Sequence, residues 1–118
     1  MSIYNTLSSR IGEEAGKYAN QDVNWVRFVR DHFRNIRNSA TLTPIAPEKM
    51  AIFRYRPKAY LESLSEDPNM DWIMLLINHM TSKSEFIDVA DILIPNATYI
   101  SELHTSYRTF TSAATSSY

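Results

Sequence analysis

Histidines, a cluster of carboxylates and a stripe of arginines are the residues of this 118-residue chain whose types could do chemistry. His32, His79 and His104 lie far apart, with no HExxH pair and no cysteine anywhere, so neither a zinc site nor a thiolate nucleophile is expected. Glu85, Asp88 and Asp91 lack the alternating acidic pattern and central glycine of a calcium loop. Glu62, Glu66, Asp67 and Asp71 surround a proline turn, where capping and solvated faces explain them better than acid/base work. That work needs one carboxyl held in an apolar site. No serine sits in a nucleophile elbow, and Gly12 and Gly16 are the only glycines, too few for a phosphate-cradling loop. The chain therefore reads as non-enzymatic, with no cofactor and no metal.

Arg27, Arg30, Arg34 and Arg37 recur at steps of three, four and three, which lines four guanidinium groups along one face of a helix. Opposite them run Trp25, Val26, Val29 and Phe33. The stripe reads either as a solvated face with Arg27 paired to Asp31, or as a docking stripe for an acidic protein neighbour. Nucleic acid is the weaker partner, because the net charge is -1 and no aromatic platform is interleaved with the arginines.

The elements that must position these residues follow from periodicity and punctuation. Ile3, Leu7 and Ile11 suggest a short first helix, and Asp22 caps an amphipathic helix over about 22–37. Pro44 and Pro47 predict an extended linker over 39–48. The alternation in Ala51–Arg56 predicts a strand closed by Pro57, followed by helices at about 59–66 and 70–79, separated by Pro68 and Asn69. Ile92-Leu93-Ile94 predicts a second strand ended by Pro95. From Thr105 onward eight of fourteen residues are Ser or Thr, which predicts a disordered or extended tail. No apolar run approaches the length that spans a bilayer, and no secretory signal is visible at the start, so the reading is a soluble chain made in a cytoplasm, without membrane insertion.

The segment from Met50 to Ile100 resembles the LysM fold, and in particular the LysM-like module of baseplate wedge proteins of contractile-tailed bacteriophages. The residues that carry the likeness are Ile52–Pro57, Tyr60–Leu64, the stretch Asp67–Asn78 with its Trp72 and terminal asparagine, and Ala90–Asn96. The resemblance implies an α+β fold with a βααβ module over 49–100, preceded by a helical region and linker over 1–48 and followed by a tail over 101–118. The module core would comprise Phe53, Tyr55, Leu61, Leu64, Trp72, Leu75, Leu76, Asn78, Ile92 and Ile94. It further implies a structural protein of the virion tail, present in multiple copies, that clips other baseplate proteins together through Trp25, Val26, Val29, Phe33 and the arginine stripe. Two other roles are compatible with the same likeness: a peptidoglycan- or chitin-oligomer-binding module, and a tail-tube or hub connector like tail protein X. Lys58, Ala59 and Ala90 stand where LysM domains commonly place the turn residues that shape a sugar groove, which favours an assembly part over a sugar reader.

Overall fold

The computed structural model describes residues 16–116. The expected helix around Ile3, Leu7 and Ile11 lies outside the described residues. The described chain forms a small mixed helix-and-sheet domain with six helices and one two-stranded antiparallel sheet. The order is α1 Val23–Asp31, α2 Phe33–Ser39, β1 Thr41–Pro44, α3 Pro47–Phe53, α4 Pro57–Ser63, α5 Asp71–Ile77, β2 Asp91–Ile94 and α6 Ala97–Ser116. Short 3₁₀ turns at Pro68–Met70 and Lys83–Glu85 complete the connections.

Local chemistry explains most of these boundaries. The Asp22 carboxylate accepts from the N–H groups of Asn24 and Trp25 at 3.0 and 3.3 Å, which satisfies donors that a first helical turn leaves unpaired. The single helix expected over 22–37 is two, parted at His32, whose backbone departs from helical angles. Its Nδ1–H donates to the carbonyl of Phe28 at 2.8 Å and so takes over an acceptor at the break.

Pro44 lies in extended chain as expected, at the end of β1, but Pro47 starts a helix rather than prolonging the linker. Pro47 and Pro57 open α3 and α4, where the missing N–H is no loss and the fixed φ suits the helix. The strand expected over Ala51–Arg56 is accordingly absent: Ala51–Phe53 end α3, and Tyr55 turns the chain at φ 63°. The strand that pairs with β2 is instead Thr41–Pro44, inside the expected linker, in the register Thr41↔Ile94 through Pro44↔Asp91. A domain boundary near residue 48 is thereby corrected, since the sheet joins both sides of it and one hydrophobic core runs through the described elements. Tyr18, Trp25, Val29 and Ile36 share that core with Tyr60, Met74, Ile92 and Leu103.

The tail is also corrected. Residues 101–116 are helical, within α6. Asn96 caps its start by accepting from the N–H of Tyr99 at 3.0 Å, and Ile100 and Leu103 sink into the core. Thr105 and Thr109 donate their hydroxyls to carbonyls one turn back, so the Ser/Thr character that argued for disorder is absorbed by the helix itself.

With no glycine after Gly16, turns are made by other residues in the left-handed region: Tyr55, Ser65, His79 and Asp88. Ser65 and His79 close α4 and α5 with paired bonds, Ser65 N–H to Glu62 and Glu66 N–H to Leu61, then His79 N–H to Leu76 and Met80 N–H to Leu75. This is the Schellman arrangement, in which the left-handed position is normally glycine. A non-glycine residue there costs roughly 1–2 kcal/mol, and glycine's own entropy takes back about 0.5–1 kcal/mol. Ser65→Gly, at an exposed position, is expected to raise stability by about 0.5–1 kcal/mol, read as a higher urea midpoint with unchanged slope.

Candidate interaction surface

The outer face of α1 and the C-terminal end of α5 enclose an open groove of about 470 Å³. Val23, Val26 and Arg30 form one wall, and Trp72, Leu76 and Met80 the other. A helix turns once in about 3.6 residues, which sets Val23, Arg27 and Arg30 outward while Trp25 and Val29 face the core. Val23 is 69% exposed, an unusual state for a valine facing an apolar groove. Arg27, Arg30 and Arg34 are exposed and make no hydrogen bond or ion pair among the described residues, so the expected Arg27–Asp31 pair is not formed. Arg37 is different, because its Nε donates to the carbonyl of Ile77 at 3.0 Å and ties α2 to the end of α5.

The expected apolar anchors divide in the same way. Trp25 is 1% exposed and Val29 0%, so both are spent on the core and offer no area to a partner. Phe33 is half-buried against the core with its ring 5.8 Å from that of His79, which leaves Val26 as the anchor that reaches the groove. Val23 and Met80 escaped the sequence reading. Val23 follows the cap residue directly and stands three and seven positions before Val26 and Arg30, a helical spacing that would have placed it on the arginine side.

Of the expected module core, Leu61, Leu75, Ile92 and Ile94 are buried, and Phe53, Leu64, Trp72 and Leu76 pack against it half-buried. Tyr55 is corrected: at 46% exposure, with left-handed backbone, it lies on the surface. Asn78 acts through hydrogen bonds. Its Nδ2 donates to the carbonyls of Met74 and Leu93 at 2.7 and 2.9 Å, and its Oδ1 accepts from Leu93 N–H at 2.9 Å. A side-chain amide thus occupies the outer edge of β2 as a neighbouring strand would, and links α5 to the sheet.

Beneath the α1 wall, Tyr18, Trp25, His104 and Tyr107 form an aromatic cluster. The His104 ring lies edge-on to Trp25 and Tyr18 at centroid distances of 4.9 and 5.5 Å. The indole N–H groups of Trp25 and Trp72 both donate to the carbonyl of Tyr18, at 3.3 and 2.6 Å. Tyr107 donates its hydroxyl to Asp22 at 2.6 Å, which holds the Asp22 carboxyl below its usual range and joins α6 to the start of α1.

Burial, reinforced by the positive charges of Arg108 and Lys17, lowers the His104 pKa below its ordinary 6.5, against the weaker opposing pull of a Lys17 backbone bond and Asp22. The unfolded chain therefore takes up this proton before the folded one. Stability is full above the unfolded value and is lost as pH falls through it toward the lower folded value. Thermal unfolding between about pH 7.5 and about pH 5 is expected to show that loss, and His104→Gln, uncharged throughout, to flatten it.

Among the described residues no three His, Asp or Glu come together as metal ligands, and no helix is long and apolar enough to cross a membrane. The carboxylates around the α4–α5 turn are used structurally: Asp67 accepts from Asn69 N–H at 2.9 Å and Asp71 pairs with Lys58 at 3.5 Å. Glu66 is half-buried, and burial raises its pKa. No family model, curated protein or solved structure matches the chain.

Proposed function

We propose that this chain is a structural component of a phage tail baseplate, a rigid LysM-like body that holds neighbouring tail proteins together. The observation that carries the reading is the α1–α5 groove, where exposed Val23 and half-buried Val26 lie beside Arg30, which is exposed and makes no hydrogen bond or ion pair among the described residues. Apolar surface bordered by charge is the composition of a protein interface. Burying a side chain of valine's size contributes on the order of 1.5–3 kcal/mol, so a few such residues decide assembly. Beyond the core, α6 also presents Phe110, 69% exposed, which suits a contact made only in an assembly. The likeness of Asp67–Asn78 and Ala90–Asn96 to wedge proteins adds to the reading.

The glycan-binding alternative has one feature in its favour, a cleft of about 400 Å³ between the turn before α3 and the loop before β2. Its lining of Ile45, Pro47, Met50, Arg54, Asp88 and Val89 has no aromatic ring and few convergent polar groups, which is poor material for holding a sugar. Retention on purified peptidoglycan would favour this alternative.

The assembly reading is tested on purified tails. The full chain is expected to be found in them by mass spectrometry, and Val23→Asp to be incorporated several-fold less. A carboxylate in the first turn of α1 favours that helix, so a loss there reports the surface and not unfolding. Tails that lack the chain altogether would refute the reading.

A further inference from the structure

The groove between α1 and α5 has a chemistry specific enough to say what fills it. Helices α1 and α5 supply most of its lining, with Asn20, Met80 and Thr81 from the adjoining loops, and no strand edge borders it, so an occupant is held chiefly by side chains. The floor is aliphatic and aromatic, supplied by Val23, Val26, Trp72, Leu76 and Met80. The α1 rim carries Arg30, with Arg27 on the same helix and Arg34 on α2 just past the break at His32, all exposed and without partners among the described residues.

We infer that this groove receives an acidic amphipathic helix of a partner protein, its apolar stripe seated between Val26 and Met80 and its flanking carboxylates met by Arg27, Arg30 and Arg34. The inference rests on the groove being a docking surface, as in the assembly reading. An occupant without an apolar stripe leaves Val23 and Trp72 uncovered, and one without carboxylates leaves the arginines unanswered. Helix-in-groove recognition uses anchors at three- and four-residue spacing, which matches a groove with helical walls. A nucleic acid would satisfy the arginines but not the aliphatic floor, and the chain's net charge of -1 opposes it.

The probe is a synthetic helical peptide with leucines at heptad positions a and d and glutamates at e and g, titrated into the isotopically labelled full chain. Its controls are the same peptide with lysines at e and g, and a single-stranded oligonucleotide. The glutamate peptide is expected to shift the amides of Val23, Val26 and Met80. Its binding is expected to weaken by about tenfold or more from about 0.1 M to about 1 M salt, as the screening length falls from about 10 Å to about 3 Å. The triple variant Arg27→Glu, Arg30→Glu, Arg34→Glu, at exposed positions, is expected to reverse the preference in favour of the lysine peptide.

Equal binding of both peptides, shifts confined to other residues, no binding, or equal shifts from the oligonucleotide would each overturn the inference. So would the same shifts on concentrating the chain alone, which would make the occupant a second copy. Tail incorporation separates the two ideas: if the triple variant enters tails as the natural chain does, the acidic helix is refuted while the baseplate role stands.

Discussion

Asn78→Ala is expected to destabilise the fold by about 3 kcal/mol, more than its small change in volume would suggest. The substitution removes three hydrogen bonds at once and leaves both the N–H and the C=O of Leu93 without their partner. An intramolecular bond is worth about 0.5–1.5 kcal/mol and an abandoned part-buried group costs about 1–3 kcal/mol. The position is sensitive because the sheet has only two strands. Leu93 turns its backbone groups toward Asn78 and away from Leu42, its partner in the register, so at this point side chain and sheet together complete the ladder. Asn78→Asp is expected to be no better at neutral pH, since a carboxylate can accept from Leu93 N–H but would face the carbonyls of Met74 and Leu93. Urea unfolding measures the loss, and faster exchange of the Leu93 amide locates it. An Asn78→Ala variant within about 0.5 kcal/mol of the natural chain would remove the edge-completing role.

Trp25→Ala is expected to cost about 3–5 kcal/mol in the isolated chain, the range for truncating a buried aromatic. Its ring touches Phe28, His104 and Tyr107, so one truncation loosens α1 from α6. Trp25→Phe is the milder change. It keeps an aromatic ring but loses part of the buried indole along with the N–H, and the Tyr18 carbonyl still accepts from Trp72, so a loss of about 1–3 kcal/mol, smaller than for alanine, is expected. The outcome also decides what Trp25 is for. A residue that acted as an anchor for a partner would be replaced with little effect on the chain alone, whereas a core residue weakens it before any partner is added. A charge at Val29, fully buried, is expected to unfold the chain for the same reason.

The arginine stripe and the groove show how legible the site was. Spacing alone put Arg27, Arg30 and Arg34 on one helical face, and the structure leaves all three exposed. It could not say which apolar residues beside them remain available, because the same helical period that marks an amphipathic face serves core and interface alike. Trp25 was claimed by Tyr18 and α6 and Val29 by the core, while Val23, outside the stripe as read, was left in the open. Only the packing of α1 beside α5 brings Val23 and Val26 together with Trp72, Leu76 and Met80, which lie far along the chain.

What the sequence by itself determined is what neighbouring residues settle among themselves. The Asp22 cap, the helices after Pro57 and around Trp72, the strand at Ile92–Ile94 and the absence of cysteine chemistry all follow from residues within a few positions of one another, or from composition. The tertiary structure decided what depends on a distant partner. Thr41–Pro44 is a strand because β2 supplies its hydrogen bonds, and four residues carry too little pattern to announce that pairing. Ala51–Arg56 alternates like a strand but has no strand beside it, so the start offered by Pro47 prevails as far as Phe53 and Tyr55 turns the chain. The Ser/Thr-rich end has weak helical propensity of its own, and it is a helix because Ile100, Leu103 and Tyr107 dock on a core that includes Trp25, more than seventy residues earlier.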